Sequence, residues 1–252
     1  MKKAENKVAL ITGGAGSIGK ATAKLLLAEG AKVMLVDNQE EALLEAVDEL
    51  NSSRVYYCIA DVSRAEQVKR YVEETVARLG KIDIFFNNAG IMGEVKPVTQ
   101  CSEEVFDRVM AVNVKGMWLG CKYALPQMND GGSLILTSSM SGLAGMANFS
   151  GYVTSKHAVI GIMRSVALEM APRRIRVNTI HPGPVDNDLM RGLEEGVAPG
   201  HGTEAKKQIE AMIPFGRYAQ AEEVAGLVSF LASDDSRYIT GTTQVIAGGF
   251  HT

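Results

Sequence analysis

Thr12-Gly13-Gly14-Ala15-Gly16-Ser17-Ile18-Gly19 is a glycine-rich stretch between a short apolar run, Val8–Thr12, and a helical pattern, Ile18–Glu29. Glycines permit a tight turn from strand to helix and let the backbone approach a pyrophosphate. The free N–H groups and the positive dipole end of the following helix favour an anion at the same place. Alone such a turn is a weak signal, but its position after a strand and before a helix predicts a dinucleotide-binding unit.

The rest of the chain alternates short apolar runs with helical patterns. Several runs are apolar at successive positions, as expected of parallel strands that helices cover on both faces. Strict alternation predicts an α/β fold, a Rossmann-like doubly wound parallel sheet with right-handed crossovers. The predicted strands are Val8–Thr12, Lys32–Val36, Val55–Ile59, Ile82–Phe86, Ser133–Ser138, Arg176–Ile180 and Thr243–Ile246. The predicted helices are Ile18–Glu29, Glu40–Leu50, Arg64–Leu79, Glu103–Gln127, Tyr152–Met170 and Ala221–Ala232.

The composition suits a single domain over residues 1–252, of which 46% are hydrophobic. A net charge of −3 gives no reason to expect nucleic acid or an anionic membrane as a partner. No stretch approaches the roughly 20 apolar residues of a membrane span, and the first apolar run is too short for a signal peptide. The three cysteines are scattered, without metal-ligand spacing, so we interpret them as reduced thiols. These features predict a cytoplasmic protein.

Pro182–Pro214 is rich in glycine and proline and carries only a weak helical pattern. An irregular stretch of this length inside a compact domain typically works as a lid or a binding loop. We therefore predict a substrate lid at about residues 182–214. A disordered surface loop is the alternative, although its apolar residues would then lack a place to pack.

Acidic and amide residues follow the first strands. Asp37 ends the second strand, and a carboxylate there binds the two ribose hydroxyls of an adenosine and repels a 2′-phosphate. No Arg or Lys follows directly, so the sequence favours NAD over NADP. Asp37 could also cap the helix that begins near Glu40, which is compatible with a cofactor role. Asp61-Val62 and Asn87-Asn88-Ala89-Gly90 follow strands three and four, at the edge where open α/β sheets bind ligands.

Tyr152 and Lys156 stand four residues apart, a spacing that puts both on one face of a helix. A lysine ammonium beside a phenol lowers the pKa of the phenol, which could then act as a general acid or base. Ser139, thirteen residues upstream of Tyr152, could hold a substrate oxygen beside the phenol. Ser138 is its rival for that position, but the thirteen-residue spacing selects Ser139 and leaves Ser138 a structural role.

Together these motifs resemble the short-chain dehydrogenase/reductase family over essentially the full chain. The residues that carry the resemblance, in the order and spacing of the family, are the glycine turn, Asn87–Gly90, Asn113, Ser139, Tyr152 with Lys156, and Pro182-Gly183. Each motif is modest, but their joint pattern is highly specific. The resemblance implies about seven strands in the order 3-2-1-4-5-6-7, and a homotetramer that forms through the helices Glu103–Gln127 and Tyr152–Met170.

The resemblance also implies a hydride transfer between a secondary alcohol or ketone and NAD. Tyr152 would be the general acid or base, Lys156 would lower its pKa and bind the nicotinamide ribose, and Ser139 would bond to the substrate oxygen. Asn113 would hold a water that links Lys156 to solvent. The cofactor-binding residues that the resemblance implies are Gly13, Ser17, Ile18, Gly19, Asp37, Asp61, Val62, Asn88, Ala89, Gly90, Tyr152, Lys156, Pro182, Gly183, Val185 and Asn187.

Three positions depart from the pattern of the family. Ser17 stands where the middle glycine of the turn is usual, which predicts a changed local turn and retained phosphate binding. Asn187 stands where a threonine commonly bonds to the carboxamide, and asparagine can replace it as donor and acceptor. Ala247 replaces an aspartate before the Gly248-Gly249 pair.

Apolar residues around the expected nicotinamide site predict an apolar or cyclic substrate, such as an alicyclic alcohol, a hydroxysteroid or a dihydrodiol. The predicted substrate residues are Met92, Ser139, Met140, Met146, Phe149, Tyr152 and Met190, with Leu143, Leu193, Met212 and Phe215 as further candidates. His181, Asp186, Asp188 and His201 are isolated, so we interpret them as surface or capping residues and assign no metal.

Two other functions stay open. One is a 3-oxoacyl-[acyl-carrier-protein] reductase that uses NADPH, which would need a basic docking surface for an acidic carrier. Arg108, Lys115 and Lys122 lie on one predicted helix at an ordinary density for such a surface, and Asp37 speaks against NADPH. The other is a non-catalytic dinucleotide-binding protein, which the intact Ser139, Tyr152 and Lys156 set disfavours.

Overall fold

In a computed structural model, which describes residues 3–250, the chain forms one seven-stranded sheet. The strand order is β3-β2-β1-β4-β5-β6-β7, as the family resemblance implies, and every neighbouring pair is parallel, as the sequence pattern predicts. The strands are β1 Val8–Thr12, β2 Lys32–Asp37, β3 Val55–Ile59, β4 Ile82–Asn87, β5 Met128–Thr137, β6 Arg176–Pro182 and β7 Thr243–Ile246. The helices are α1 Ser17–Ala28, α2 Glu40–Leu50, α3 Ala65–Leu79, α4 Glu103–Met110, α5 Met117–Ala124, α6 Ser150–Met170, α7 Asp188–Val197, α8 Gly202–Ala211 and α9 Ala221–Ala232.

Helices cover both faces of the sheet because the strands are apolar on both sides. Leu10 of β1 packs into one buried layer, with side chains of α3, α5 and α6. Its neighbour Ile11 packs into the opposite layer, with side chains of α1, α2 and α9. This alternation follows from the period of two along a strand. The burial on both sides confirms the doubly wound architecture.

The predicted helix Glu103–Gln127 is wrong as a single element. A π-helical turn, Ala111–Gly116, separates α4 from α5, and a 3-10 turn, Leu125–Gln127, follows. Asn113 lies in the π turn, where its side chain bonds to both backbone groups of Ile91 at 2.8 Å. The apolar pattern of the sequence does not reveal such a turn, because the one additional residue of a π-helical turn leaves the buried face apolar.

The other departures from the predicted bounds are shifts at element ends. β5 begins five residues before the predicted Ser133, at Met128, and its pairing with β4 shifts register between Ile82 and Ile84. β6 runs on to Pro182, where it pairs with Ile246 of β7. Both extensions add glycine or proline positions that single-sequence patterns disfavour in strands.

Residues 182–214 contain two helices, α7 and α8, where the sequence predicts an irregular stretch. Asn187 caps α7, because its side chain accepts a hydrogen bond from the N–H of Met190 at 3.0 Å. The apolar residues of this segment pack into a third buried cluster with Met140, Tyr218 and Phe250. Its role as a lid stays a prediction. Within residues 3–250, no helix is long and apolar enough to cross a membrane.

The contact of the glycine turn with α1 gives a test of the fold. A Cβ on Gly19 would overlap with the carbonyl oxygen of Gly13, whereas a Cβ on Gly16 would sit 3.4 Å from the same atom, an ordinary contact. Overpacking costs about 1–3 kcal/mol, and each kcal/mol lowers the Tm by about 2–4 °C at this chain length. We therefore predict that Gly19→Ala lowers the Tm by several degrees and Gly16→Ala barely changes it, as measured by calorimetry. Equal Tm values for the two variants would contradict this packing.

Candidate active site

One cavity of about 710 Å³ opens at the carboxyl edge of the sheet. This volume is typical of a site for a ligand of drug or cofactor size. Most of the residues predicted from sequence line it, namely Gly13, Ser17, Ile18, Asp37, Asp61, Val62, Asn88, Ala89, Gly90, Met92, Ser139, Met140, Met146, Phe149, Tyr152, Lys156, Pro182, Gly183, Val185, Asn187 and Met190. Gly19 and Asn113 lie behind its wall, and both are buried. The structure therefore brings the dispersed motifs of the sequence to one place.

The glycine turn lies against the end of β4. Gly13 has a φ of 66°, and a Cβ there would stand 2.9 Å from Nδ2 of Asn88. Both the positive φ and the close approach require glycine. Gly16 precedes α1 without a side-chain cap, and the first turn of α1 has no acidic residue. The helix N-terminus therefore faces the cavity with N–H groups that an anion can bind.

Thr12 joins the ends of β1 and β4, a role that sequence analysis missed. Its Oγ1 donates to Oδ1 of Asn87 at 3.2 Å and accepts from the N–H groups of Asn88 and Ala89. Asn88 in turn donates to the carbonyl of Thr12 and accepts from the hydroxyl of Thr137, at the end of β5. Three strand ends are thus fixed by side chains that are buried or partly buried. A threonine at the last position of an apolar strand was the available signal.

Asp37 holds its carboxylate at the end of β2. Oδ1 accepts from the N–H groups of Asn38 and Gln39 at 2.8 and 3.2 Å, and Oδ2 accepts from the N–H of Ala15 at 3.2 Å. The N-cap of α2 is Gln39, so the alternative in which Asp37 caps that helix is wrong. Asp37 instead fixes the turn that follows β2 and ties it to the glycine turn. A negative charge therefore lies at the outer end of the cavity.

Lys156 is buried in the wall of the cavity, with 3% of its surface exposed. Nζ donates to the carbonyl oxygen of Thr137 at 3.0 Å and lies 5.5 Å from the centre of the Tyr152 ring. Burial lowers the pKa of Lys156 to about 8, because the charged form loses solvation. A Cβ on Gly90 would stand 3.3 Å from Nζ, so the loop after β4 closes tightly over the ammonium.

Tyr152 behaves differently from the prediction made from sequence. Burial raises the pKa of Tyr152 to about 12, opposed by a hydrogen bond with Ser139 that lowers it. The pKa of Tyr152 is therefore raised and not lowered as the sequence predicts, because desolvation disfavours the phenolate and the Lys156 ammonium does not offset it. The phenol is protonated in the neutral pH range.

Two adjacent serines have different surroundings. Oγ of Ser139 accepts from the N–H of Ser141 at 3.1 Å. It also lines the cavity, where it forms the hydrogen bond with Tyr152. Oγ of Ser138 is buried and donates to the carbonyl of Lys156 at 2.8 Å. The structure thus gives Ser138 a packing role, in agreement with the choice of Ser139 by spacing.

Asn113 uses its whole side chain to hold its neighbours. Oδ1 accepts from the N–H of Ile91, and Nδ2 donates to the carbonyl of Ile91 and to Oγ of Ser155. Both amide hydrogens are therefore engaged, and a water at this side chain would have to donate to the second lone pair of Oδ1. Asn187 is engaged in part, because its oxygen accepts the capping bond of α7, and its NH2 group stays available to a carboxamide.

An apolar chamber adjoins Ser139 and Tyr152. Of the further candidates from sequence, Leu193 and Met212 line the cavity. Leu143 and Phe215 do not, and they are 42% and 75% exposed, so these two predictions are wrong. Phe250 lines the cavity as well, although its position near the end of the chain gave no signal.

The four isolated polar residues also differ from one another. Asp186 pairs with Arg191 and Lys206, and Asp188 and His201 are exposed, in line with surface or capping roles. Their interpretation is wrong for His181, which has no exposed surface. His181 directly follows the predicted strand Arg176–Ile180, and a histidine at the end of an apolar run was the available signal of burial.

Sequence comparison gives close relatives over nearly the whole chain. The family described as enoyl-(acyl carrier protein) reductase matches residues 13–251. Levodione reductase of Leifsonia aquatica is 38% identical over 97% of this chain and 94% of its own. Cyclohexanol dehydrogenase of Acinetobacter sp. (strain SE19) is 38% identical over 98% and 96%. The 3-oxoacyl-[acyl-carrier-protein] reductase FabG of Thermotoga maritima is also 38% identical, over 97% and 98%.

Solved structures give the same picture. A crystal structure of levodione reductase superposes with a TM-score of 0.94 at 38% identity, over 97% of both chains. NAD⁺-bound xylitol dehydrogenase superposes with a TM-score of 0.93 at 35% identity, over 98% of this chain and 100% of the other. The sheet order, the near-complete match in sequence and these structures agree. The chain belongs to the short-chain dehydrogenase/reductase family of oxidoreductases.

Proposed function

We propose that the chain interconverts a secondary alcohol and a ketone by hydride transfer with NAD, and that Tyr152 is the general acid or base. The observation that carries the proposal is the meeting of a phenol, a buried ammonium and a hydroxyl at one end of the cavity, in Tyr152, Lys156 and Ser139. The other end holds an open helix N-terminus and the carboxylate of Asp37. A dinucleotide that spans the two ends would bring its nicotinamide to the phenol.

The residues at the outer end favour NAD. The Asp37 carboxylate is fixed by three backbone N–H groups, so it cannot turn away from a 2′-phosphate without breaking them. Like charges brought together cost several kcal/mol. NAD⁺-bound xylitol dehydrogenase, a structural neighbour, agrees with this choice. The same carboxylate disfavours an NADPH-dependent 3-oxoacyl-[acyl-carrier-protein] reductase, although FabG is equally similar in sequence.

Bound NAD supplies the hydride acceptor or donor, and the protein supplies orientation and proton transfer. In oxidation, Tyr152 takes the hydroxyl proton of the alcohol, and in reduction it returns one. The hydroxyl of Ser139 donates to the same oxygen and fixes it beside the phenol. The Lys156 ammonium stabilises the phenolate when it forms, because the two groups lie in a poorly solvated wall. Water relay through Asn113 stays part of the proposal.

The chamber supports an apolar, cyclic substrate. The side chains that surround Ser139 and Tyr152 are largely thioethers and aromatic rings, which adapt to irregular apolar shapes. Cyclohexanol dehydrogenase is among the relatives, and cyclohexanol is a cyclic secondary alcohol. We infer an alicyclic or related ring alcohol as the substrate class, with α7 and α8 as the lid that excludes water.

A homotetramer stays a prediction from the family. Phe106 of α4, Trp118 of α5 and Leu168 of α6 are 39%, 50% and 79% exposed, which supports an interface on these helices. Sedimentation of the full chain would measure the state, and a monomer at micromolar concentration would contradict it.

The pKa of Tyr152 gives a prediction in pH. Oxidation needs the phenolate, and the pKa of Tyr152 is about 12, so the kcat/KM for the alcohol should rise about tenfold per pH unit up to the pKa of Lys156, about 8. Above that pH the rise should flatten, because Lys156 loses the charge that stabilises the phenolate. Reduction needs the phenol, so its kcat/KM should stay level between about pH 6 and pH 8. Tyr152→Phe should lower both by at least about 100-fold, because general acid–base catalysis contributes that much or more. An oxidation rate that falls as pH rises, or a Phe variant with full activity, would contradict the role of Tyr152.

Asp37 allows a test of cofactor choice with a matched pair. Asp37→Asn keeps the oxygen that accepts from Asn38 and Gln39 but removes the charge, and Asp37→Ala removes both. We predict that both variants raise the ratio of kcat/KM for NADP⁺ over NAD⁺ by about 100-fold, since several kcal/mol of repulsion are relieved. Asp37→Ala should also loosen the turn and lower the Tm more than Asp37→Asn, which loses only the bond from Ala15. An unchanged ratio in Asp37→Asn would mean that the charge does not set the preference.

The chamber gives a second matched pair. Met212 lines the cavity and is 57% exposed, and Phe215 is more exposed and lies outside it. Met212→Ala should raise the KM for cyclohexanol about three- to tenfold by removing apolar contact, and Phe215→Ala should leave it unchanged. Steady-state kinetics at saturating NAD⁺ measure both. Equal changes in KM for the two substitutions would show that Met212 is not part of the substrate site.

A further inference from the structure

We propose that His181 is a positioning residue that fixes Ser139 in the site. The inference rests on the proposed function, because it gives the Ser139 hydroxyl a part in binding the substrate oxygen. It also accounts for a fully buried histidine that the reaction itself does not use.

The geometry joins the end of β6 to the loop after β5. Nδ1 of His181 lies 2.8 Å from the carbonyl oxygen of Ser139. Nε2 lies 2.8 Å from Oγ1 of Thr179, two residues earlier on the same face of β6. Both ring nitrogens therefore have a partner, and the chain Thr179, His181, Ser139 runs from the strand to the site.

The chemistry of the partners assigns the proton. A carbonyl oxygen can only accept, so Nδ1 must carry the hydrogen. In the neutral ring Nε2 then accepts from the hydroxyl of Thr179. Burial lowers the pKa of His181, and the nearby charge of Lys156 lowers it further, so the imidazole is neutral in the neutral pH range. Thr179 thus holds the tautomer whose N–H points at Ser139.

The bond acts on Ser139 rather than on its neighbour. The N–H of Ser138 is paired with the carbonyl of Ile180 at 2.9 Å, which continues the ladder of β5 and β6. Beyond it the chain leaves the sheet, and the carbonyl of Ser139 accepts from the N–H of Gly142, in the same turn, and from His181. Of these two bonds, only the one from His181 ties this peptide to another element of the fold.

Burying the polar imidazole ring of His181 costs free energy unless its ring nitrogens form hydrogen bonds. An apolar side chain would fill the same space in β6 but would leave the Ser139 carbonyl one donor short. The backbone of Ser139 would then follow the movements of the turn at Met140–Gly142, and its Oγ, held by Ser141, would move with it. A displacement of about 1 Å of a positioning group can cost about 100-fold in rate.

Two substitutions separate the bond from the bulk of the ring. His181→Asn places an amide N–H near the position of Nδ1, and His181→Gln reaches towards that of Nε2 and leaves the Ser139 carbonyl without this donor. We expect His181→Gln to lower kcat for the alcohol by about 10- to 100-fold, with the KM for NAD⁺ within about twofold of wild type. His181→Asn should restore most of the lost rate. Thr179→Val, which frees the tautomer, should cause a smaller loss than His181→Gln.

A double-mutant cycle with Ser139→Ala tests whether the effect passes through Ser139. In the Ser139→Ala background, His181→Gln should cause little further loss of kcat, since the hydroxyl that it positions is already gone. An equal fractional loss in both backgrounds would overturn the proposal. Equal losses of kcat in the His181→Asn and His181→Gln variants, in proportion to their lower Tm values, would also overturn the proposal, because they would show that His181 only packs the core.

Crystal structures of wild type and the two His181 variants test the positioning of Ser139 without any measurement of activity. We expect Oγ of Ser139 to keep its place beside Tyr152 in wild type and His181→Asn, and to move in His181→Gln. An unmoved Ser139 in all three would overturn the inference even if the enzyme is active. A wild-type protein that turns over no alcohol would instead count against the proposed function, and the structures would still judge the role of His181.

Discussion

The site depends on one buried interaction, the hydrogen bond from the Lys156 ammonium to the carbonyl of Thr137. Removing an ammonium from water costs several kcal/mol, so the fold must keep its partners in place. The bond joins α6 to the end of β5, and the loop after β4 closes on it through Gly90, which no larger residue could replace without displacing Nζ or Asn113. Burial lowers the pKa of Lys156 and raises that of Tyr152. The same exclusion of water strengthens the attraction between the ammonium and the phenolate when the phenolate forms.

A parallel sheet explains why the remaining parts gather there. Strands that run in one direction end at one edge, and several of them carry a polar residue at or next to that end whose hydrogen bonds reach a neighbouring segment. Thr12 binds the loop after β4, Asp37 binds the glycine turn, Thr137 binds both Asn88 and Lys156, and His181 binds Ser139. The strand ends therefore fix one another through side chains, so a cofactor would meet a rim that is ordered before it arrives, which lowers the cost of binding.

Much of this could be predicted from the sequence, where local chemistry sets local geometry. Strand and helix periods predicted a parallel, doubly wound sheet, and the family resemblance supplied its strand order. The glycine turn, Asp37 and the Tyr152–Lys156 spacing predicted the edge of the cavity, because backbone and charge requirements leave few residue choices. Features that depend on contacts between residues far apart in the sequence were not predicted. The π turn at Asn113 arises from bonds to Ile91, the raised pKa of Tyr152 from burial, and the burial of His181 from strands that lie far apart in sequence. Leu143 and Phe215 look like their pocket-lining neighbours in sequence, and only the path of the chain separates them.

Transfer of label from substrate to cofactor tests the central claim most directly. The full chain would be mixed with NAD⁺ and secondary alcohols that carry deuterium on the carbinol carbon, cyclohexanol first, and the nicotinamide product would be analysed by mass spectrometry. We predict deuterium in the reduced nicotinamide and the matching ketone in equal amount, because a hydride passes directly from carbon to carbon. Reduced nicotinamide without deuterium would contradict direct transfer. NAD binding with no transfer from any alcohol, and no reduction of the corresponding ketones by NADH, would contradict the proposed function.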